Sequence, residues 1–221
     1  MNIKNTSNIE TQGINALVYG QSGCGKTYQI QSLEDCLILS AEDGLLSLKG
    51  TNIEYIDISS LQDLREAYSF IQKSKDATRY QTIAIDSISE VAERILQDEK
   101  KRLKDARAAY LVMQDSVIDV IRSFRSIKKN IYVTAKIEKI QDDVGRVMFA
   151  PSSPGTKLSN LLPYHFDEVF ALKSEVIEKT TERFFICGND QNYVAKDRSG
   201  ILNHIENLSI NEIFKKIRGV L

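Results

Sequence analysis

Short, almost wholly apolar runs alternate with longer segments in which apolar residues recur every three to four positions. Ile14 to Tyr19 (INALVY) ends at a glycine, the mark of a buried strand feeding a turn, and Thr27 to Leu33 can follow as a helix. Cys36 to Ser40 (CLILS) and Ile53 to Ile58 (IEYIDI) are further strands. Leu61 to Lys75 has helical spacing in Leu61, Leu64, Ala67, Tyr68 and Ile71. Thr82 to Ile85 (TIAI) has the pattern of a fully buried strand, and Ile131 to Ala135 of another. Between them Ser89 to Ile127 carries no proline or glycine, which predicts a long helical stretch broken once around Asp105 to Ala109. Strands buried on both faces and separated by helices predict a parallel sheet covered on two sides.

After Ala135 the pattern changes. Ile137 to Ile140 and Arg146 to Phe149 flank Gln141 to Gly145 as a hairpin would, and Glu168 to Leu172, Arg183 to Cys187 and Tyr193 to Lys196 are strand candidates. Ile210 to Ile217, within about 208–218, closes the chain as a helix capped by Asn207 or Ser209. The expectation is an α/β fold with a mainly parallel sheet flanked by helices and an antiparallel C-terminal flank. It forms one domain over 1–221, with its core at about 14–202.

Composition narrows the class without naming a function. At 221 residues, with 27% charged and 42% hydrophobic residues, the chain suits one globular domain and neither a disordered nor a coiled-coil protein. No apolar run approaches the roughly 18 to 20 residues that cross a bilayer, and Met1 to Gln12 lacks the apolar stretch of a signal peptide. A cytoplasmic protein without membrane contact is expected. Cys24, Cys36 and Cys187 form no CxxC pair and predict reduced thiols; the formal net charge of -1 gives no global pull toward nucleic acid.

The segment Gly20-Gln21-Ser22-Gly23-Cys24-Gly25-Lys26-Thr27, followed by Tyr28, satisfies G-x-x-x-x-G-K-[ST] between a strand and a helix. Its glycines let backbone N–H groups close around phosphates, with the helix dipole adding to them. Lys26 would reach the β- and γ-phosphates of ATP, and Thr27 would hold Mg2+. A second acid at the end of a neighbouring strand belongs to such a site, and Asp86 after TIAI has that place; its competing role is to cap the next helix, which Ser87 could serve as well. Hydrolysis also needs a group that orients or deprotonates water. Glu42, directly after CLILS, is the candidate base, with Asp43 second to it and a solvated turn carboxylate the competing reading.

Four segments in this order, GQSGCGKT, LILSAEDGL, TIAIDSISE and AKDRSG, resemble the RecA-like P-loop ATPases. Within them the chain is similar to the small phage nucleotide-binding proteins of single-strand annealing (Sak-type) recombination. Ala150 to Lys157 together with Phe166 to Val169 extends the likeness. The resemblance implies Glu42 as the water-activating base, and Lys196 and Arg198 as a Lys-x-Arg pair projecting into a neighbour's nucleotide. It therefore implies a homo-oligomer with ATP or ADP at subunit interfaces, working on single-stranded DNA with a single-strand-binding protein. Lys136 ends the sensor strand where relatives carry an uncharged or weakly basic polar side chain, and is a candidate γ-phosphate contact.

Two stretches could meet DNA: the basic cluster Lys100, Lys101, Arg102, Lys104 and Arg107, whose interleaved acids also suit a solvated helix face, and the hairpin Lys136 to Arg146 with the loop Ser152 to Lys157. Tyr132 and Phe149 fit core strands better than stacking platforms. The alternative function is a small P-loop kinase acting on a nucleoside or other metabolite, with Lys100 to Arg107 as its lid. A GTP switch is disfavoured by the absence of N-K-x-D, and Asp142 to Gly145 matches D-x-x-G only nominally.

Overall fold

The computed structural model describes residues 13–220 apart from 43, 142–144, 191 and 208. The polar N-terminal stretch, Asp43 and the tip of the expected hairpin thus lie outside the described residues. β1 (Asn15–Tyr19), β2 (Cys36–Ser40) and β4 (Thr82–Asp86) are buried at every position, because each lies between two neighbours in the sheet and under cover on both faces. β3 (Glu54–Asp57) is the edge strand beyond β2 and is mostly exposed. With β5 (Asn130–Gln141) and β7 (Glu168–Ile177) they form the parallel run β7-β1-β5-β4-β2-β3.

Side chains of this run alternate between two cores, as the two-residue period of strands requires. Leu17, Tyr19, Leu39, Ile83, Ile85 and Val133 face α2 (Leu61–Lys73), α3 (Ile88–Arg102) and α4 (Ala106–Arg125). Ala16, Val18, Ile38, Ala84, Tyr132 and Phe170 face the other side, packed with Ile30, Leu48 and α6 (Ile210–Ile217). Each fully buried aliphatic or aromatic side chain is worth about 1.5–3 kcal/mol, so these two layers hold the phosphate-loop strand rigidly at the centre. The three cysteines are buried and unpaired, and burial pushes each thiol pKa up.

Helix ends follow local chemistry. Ser60 and Asp63 form a capping box for α2, Asp105 caps α4, and Ser209 with Glu212 forms the box that starts α6, so Ser209 and not Asn207 is the cap. The break in the long helical stretch falls at 103–105, slightly earlier than expected. The helix expected over Thr27 to Leu33 is shorter: α1 (Lys26–Gln29) continues as a 3-10 turn over Ile30–Ser32.

The larger differences lie after Ala135. The sensor strand and the first hairpin arm are one strand, β5, buried through Ala135 and half-exposed beyond it, where it leaves the sheet to pair antiparallel with β6 (Val147–Ser152). Of the expected Ser152 to Lys157 loop, Ser152 ends β6 and Thr156 and Lys157 open α5 (Thr156–Leu161), leaving 153–155 as the connection. β8 (Thr180–Ile186) and β9 (Lys196–Asp197) both pair antiparallel with β7, and β10 (Ile205–Glu206) pairs with β8, which makes the expected antiparallel flank. Among the described residues, no helix is long and apolar enough to cross a membrane.

Candidate functional site

The chain leaves the sheet at Gly20, at the end of β1. A Cβ there would stand 2.5 Å from the Leu172 carbonyl oxygen and 2.7 Å from Cys24 Sγ, so the loop can sit this close to β7 only with glycine. Gly25 has φ 104°, a left-handed conformation that side chains resist. Lys26 Nζ donates to the carbonyls of Gly20 (2.9 Å) and Gln21 (3.0 Å) and so spans the mouth of its own loop. From β5, Tyr132 donates its hydroxyl to the Lys26 carbonyl at 2.8 Å and pins the first helical turn. Because α1 is only four residues long, the loop N–H groups and Lys26, more than a helix dipole, would supply any grip on phosphate.

Thr27 donates its hydroxyl to Asp86 Oδ2 at 2.6 Å, and Thr134 donates to the other carboxylate oxygen. Asp86 is 2% exposed and caps nothing: Ser87 accepts from the Glu90 backbone and caps α3. The end of β2 is stitched to the same place, since the backbones of Ala41 and Glu42 donate to the Asp86 carbonyl at 2.8 and 3.2 Å. Glu42 Oε1 accepts from the Ser87 hydroxyl, and Arg94 donates to the Ala41 carbonyl at 2.6 Å. Lys26, Thr27, Asp86 and Glu42 are thus brought to the carboxyl ends of the central parallel strands. A hydroxyl beside a carboxylate is a hard-oxygen pair of the kind magnesium takes, and at Gly23 the loop is open, with nothing within 4 Å of where a Cβ would stand.

Lys136 does not point at this site. Its ammonium lies between Glu90 Oε2 (3.1 Å) and Glu93 Oε1 (2.9 Å), because the first turns of α3 present those acids to the end of the buried half of β5. Three members of the basic cluster have local partners. Lys101 pairs with Asp98, Arg102 with Glu99, and Lys100 lies over the Tyr110 ring, about 20 Å along α3 from Ser87. Tyr132 is core, whereas Phe149 is half-buried and stacks on Tyr193 with ring centroids 5.1 Å apart.

Arg198 lies at the opposite end of β1, and Lys196 about halfway along it. Lys196 pairs through β7 with the level of Leu17, and Arg198 donates at 2.6 Å to Asp167, which also accepts from Asn15. Asn15 begins β1 and Gly20 follows its end, roughly 15 Å apart. Lys196 Nζ is turned onto the Pro163 and Phe166 carbonyls, and burial lowers its pKa. Arg198 is exposed. Beneath them Glu168 is 2% exposed, with a pKa pushed up to about 8 by burial and then by Asp197.

Sequence reasoning missed Thr134 and Arg183. A threonine inside the apolar run IYVTA is a visible signal, because a buried hydroxyl needs a partner. Arg183, whose Nε donates to the Cys24 carbonyl at 3.2 Å, lies 159 residues away in sequence and gives no such signal.

No curated protein matches the chain. Among solved structures, a KaiC-like protein from the hyperthermophilic archaeon Pyrococcus horikoshii is similar over 79% of this chain and 77% of its own, at 16% identity and a TM-score of 0.47. The mostly parallel sheet with helices on both faces, the central phosphate-loop strand and the antiparallel C-terminal side make a mixed α/β fold built around a P-loop. A family described as an AAA domain matches residues 12–199, and the chain belongs to that family of nucleotide-binding P-loop ATPases.

Proposed function

We propose that the protein is a single-domain ATPase that binds Mg-ATP at Gly20 to Tyr28 and hydrolyses it. The observation that carries this reading is the convergence of Thr27, Asp86 and Glu42 beside the loop, with Asp86 held by two hydroxyls and Glu42 docked on Ser87. Lys26 exchanges its two loop carbonyls for β- and γ-phosphate oxygens. Thr27 and Asp86 would hold the magnesium, which would offset phosphate charge when bound. Glu42 accepts a proton from a water as its oxygen attacks the γ-phosphorus; the bond to the β,γ-bridging oxygen breaks, giving ADP and phosphate.

The same reading extends to an oligomer acting in phage-type recombination, as the resemblance implies. Arg198 sits at the far end of β1 and is too distant for its own loop, so it acts on a neighbour's nucleotide or on none. Support for single-stranded DNA comes from the β5–β6 ribbon and the neighbouring Lys173 of β7 and Tyr193. Lys139 lies 5.9 Å from the Phe149 ring and Lys173 5.7 Å from Tyr193, a pairing of cations with stacked aromatics beside Gln21 and Ser22. A single-strand-binding protein is the implied partner. The kinase alternative would take Lys100 to Arg107 as its lid, where Lys101 and Arg102 make exposed pairs within α3 and Lys100 lies over the Tyr110 ring.

The test is hydrolysis of ATP with magnesium, with and without single-stranded DNA, over a range of protein concentrations. Turnover that rises with DNA and more than linearly with protein supports shared, DNA-coupled sites. Turnover indifferent to both leaves a P-loop protein acting elsewhere, and metabolite acceptors are then added one at a time.

A further inference from the structure

One side of the loop carries a contact that the phosphate chemistry does not use. Arg183, from the antiparallel strand β8, reaches across to the loop and donates Nε to the Cys24 carbonyl. Its guanidinium lies 5.0 Å from the centroid of the Tyr28 ring, and it packs so tightly on Gly25 that a Cβ there would be 2.6 Å from Nε. In a phosphate loop the N–H groups turn inward and the carbonyls outward, so Arg183 braces the outer wall and leaves the phosphate cradle open. Tyr28 is nevertheless 42% exposed, on a face with a cation beside it.

The direction of a bound nucleoside triphosphate follows from the loop. Lys26 serves the β- and γ-phosphates and Thr27 the metal, so the α-phosphate lies toward the next residue of the first helical turn, and sugar and base continue outward from there. That next residue is Tyr28. We propose that Tyr28 and Arg183 together form the platform on which the base of the nucleoside triphosphate stacks. A phenol ring and a flat guanidinium held together offer a polarised surface to an aromatic ring, and Arg183 is fixed in place by Cys24 before the ligand arrives. The proposal rests on the nucleotide-binding reading above and adds a base subsite built from the C-terminal flank.

The test compares two ligands on the full chain by calorimetry: Mg-ATP, and Mg-tripolyphosphate, which has the three phosphates but no sugar or base. The wild type is expected to prefer ATP by about tenfold or more. Tyr28→Ala is expected to weaken ATP roughly tenfold while leaving tripolyphosphate within about twofold, and Tyr28→Phe to keep both affinities. Equal weakening of both ligands by Tyr28→Ala would overturn the proposal, since the ring would then only prop the loop; so would unchanged ATP affinity. If Lys26→Ala abolishes both ligands and Tyr28→Ala spares both, the base platform alone falls. A wild type that binds neither ligand removes the nucleotide reading and the platform with it.

Discussion

Asp86 has two hydroxyls aimed at it, from Thr27 and Thr134, in a place almost closed to water. Removing its carboxylate strands both donors, and a buried unsatisfied polar group costs about 1–3 kcal/mol. Asp86→Ala should therefore lower the denaturant midpoint with no nucleotide present, as well as weaken magnesium-dependent binding. Glu42 is different: half-buried, it gives one oxygen to Ser87, and an amide can keep that bond. Glu42→Gln should fold and bind ATP like the wild type and lose turnover by about 10²–10⁴, whereas Lys26→Ala should lose binding itself. Normal turnover by Glu42→Gln in a single-turnover assay would remove the base assignment. Lys26, Thr27, Asp86 and Glu42 were legible because each stands at the end of an apolar strand or in a loop with fixed spacing. Arg183 was not, since its role comes from a contact across 159 residues.

Elements buried on both faces left their boundaries in the sequence almost residue by residue, as CLILS and TIAI did for β2 and β4. Where a strand is half-exposed, the outline depends on a partner that no local window contains. Hence β5 looked like two strands, and β9 and β10, two residues each, are too short to show a period. The β7–β9 pairing sets Glu168 beside Asp197, under the turn that carries Lys196 and Arg198 and next to Asp167 on its own strand's approach. One Glu168 oxygen is buried without a hydrogen-bond partner, while the Ser199 backbone donates to the other. Folded Glu168 keeps its proton up to about pH 8, whereas its ordinary value is 4.5. The folded state therefore binds more protons between those values, so this contribution to stability is complete below the lower one and is lost as pH rises through the upper. Glu168→Gln, permanently neutral, should gain on the wild type in denaturant midpoint as pH is raised from 5 to 9. Asp197, held low chiefly by Ser199 and backbone donors despite its burial, exerts its effect in the acid range and leaves this window clear. A difference that stays constant across the range would mean that Glu168 is ionised in the fold.

With a net charge of -1, the whole molecule has no long-range field to hold a polyanion, so the proposed binding to DNA would need local cations repeated through an assembly. The geometry of the sheet points the same way for catalysis. The phosphate loop and Arg198 occupy opposite ends of β1, so a head-to-tail arrangement is the one that sets the arginine of one copy against the loop of the next. Such composite sites make a sharp prediction about mixtures. Arg198→Ala keeps an intact loop and Lys26→Ala an intact arginine, and each alone should be nearly inactive. Mixed in equal amounts and allowed to exchange subunits, they form interfaces in which an intact loop faces an intact arginine about one time in four, so turnover should return to roughly a quarter of the wild-type rate. If the mixture stays as inactive as its parts while size measurements show exchange, Arg198 serves its own chain's Asp167 only, and the site is complete within one subunit.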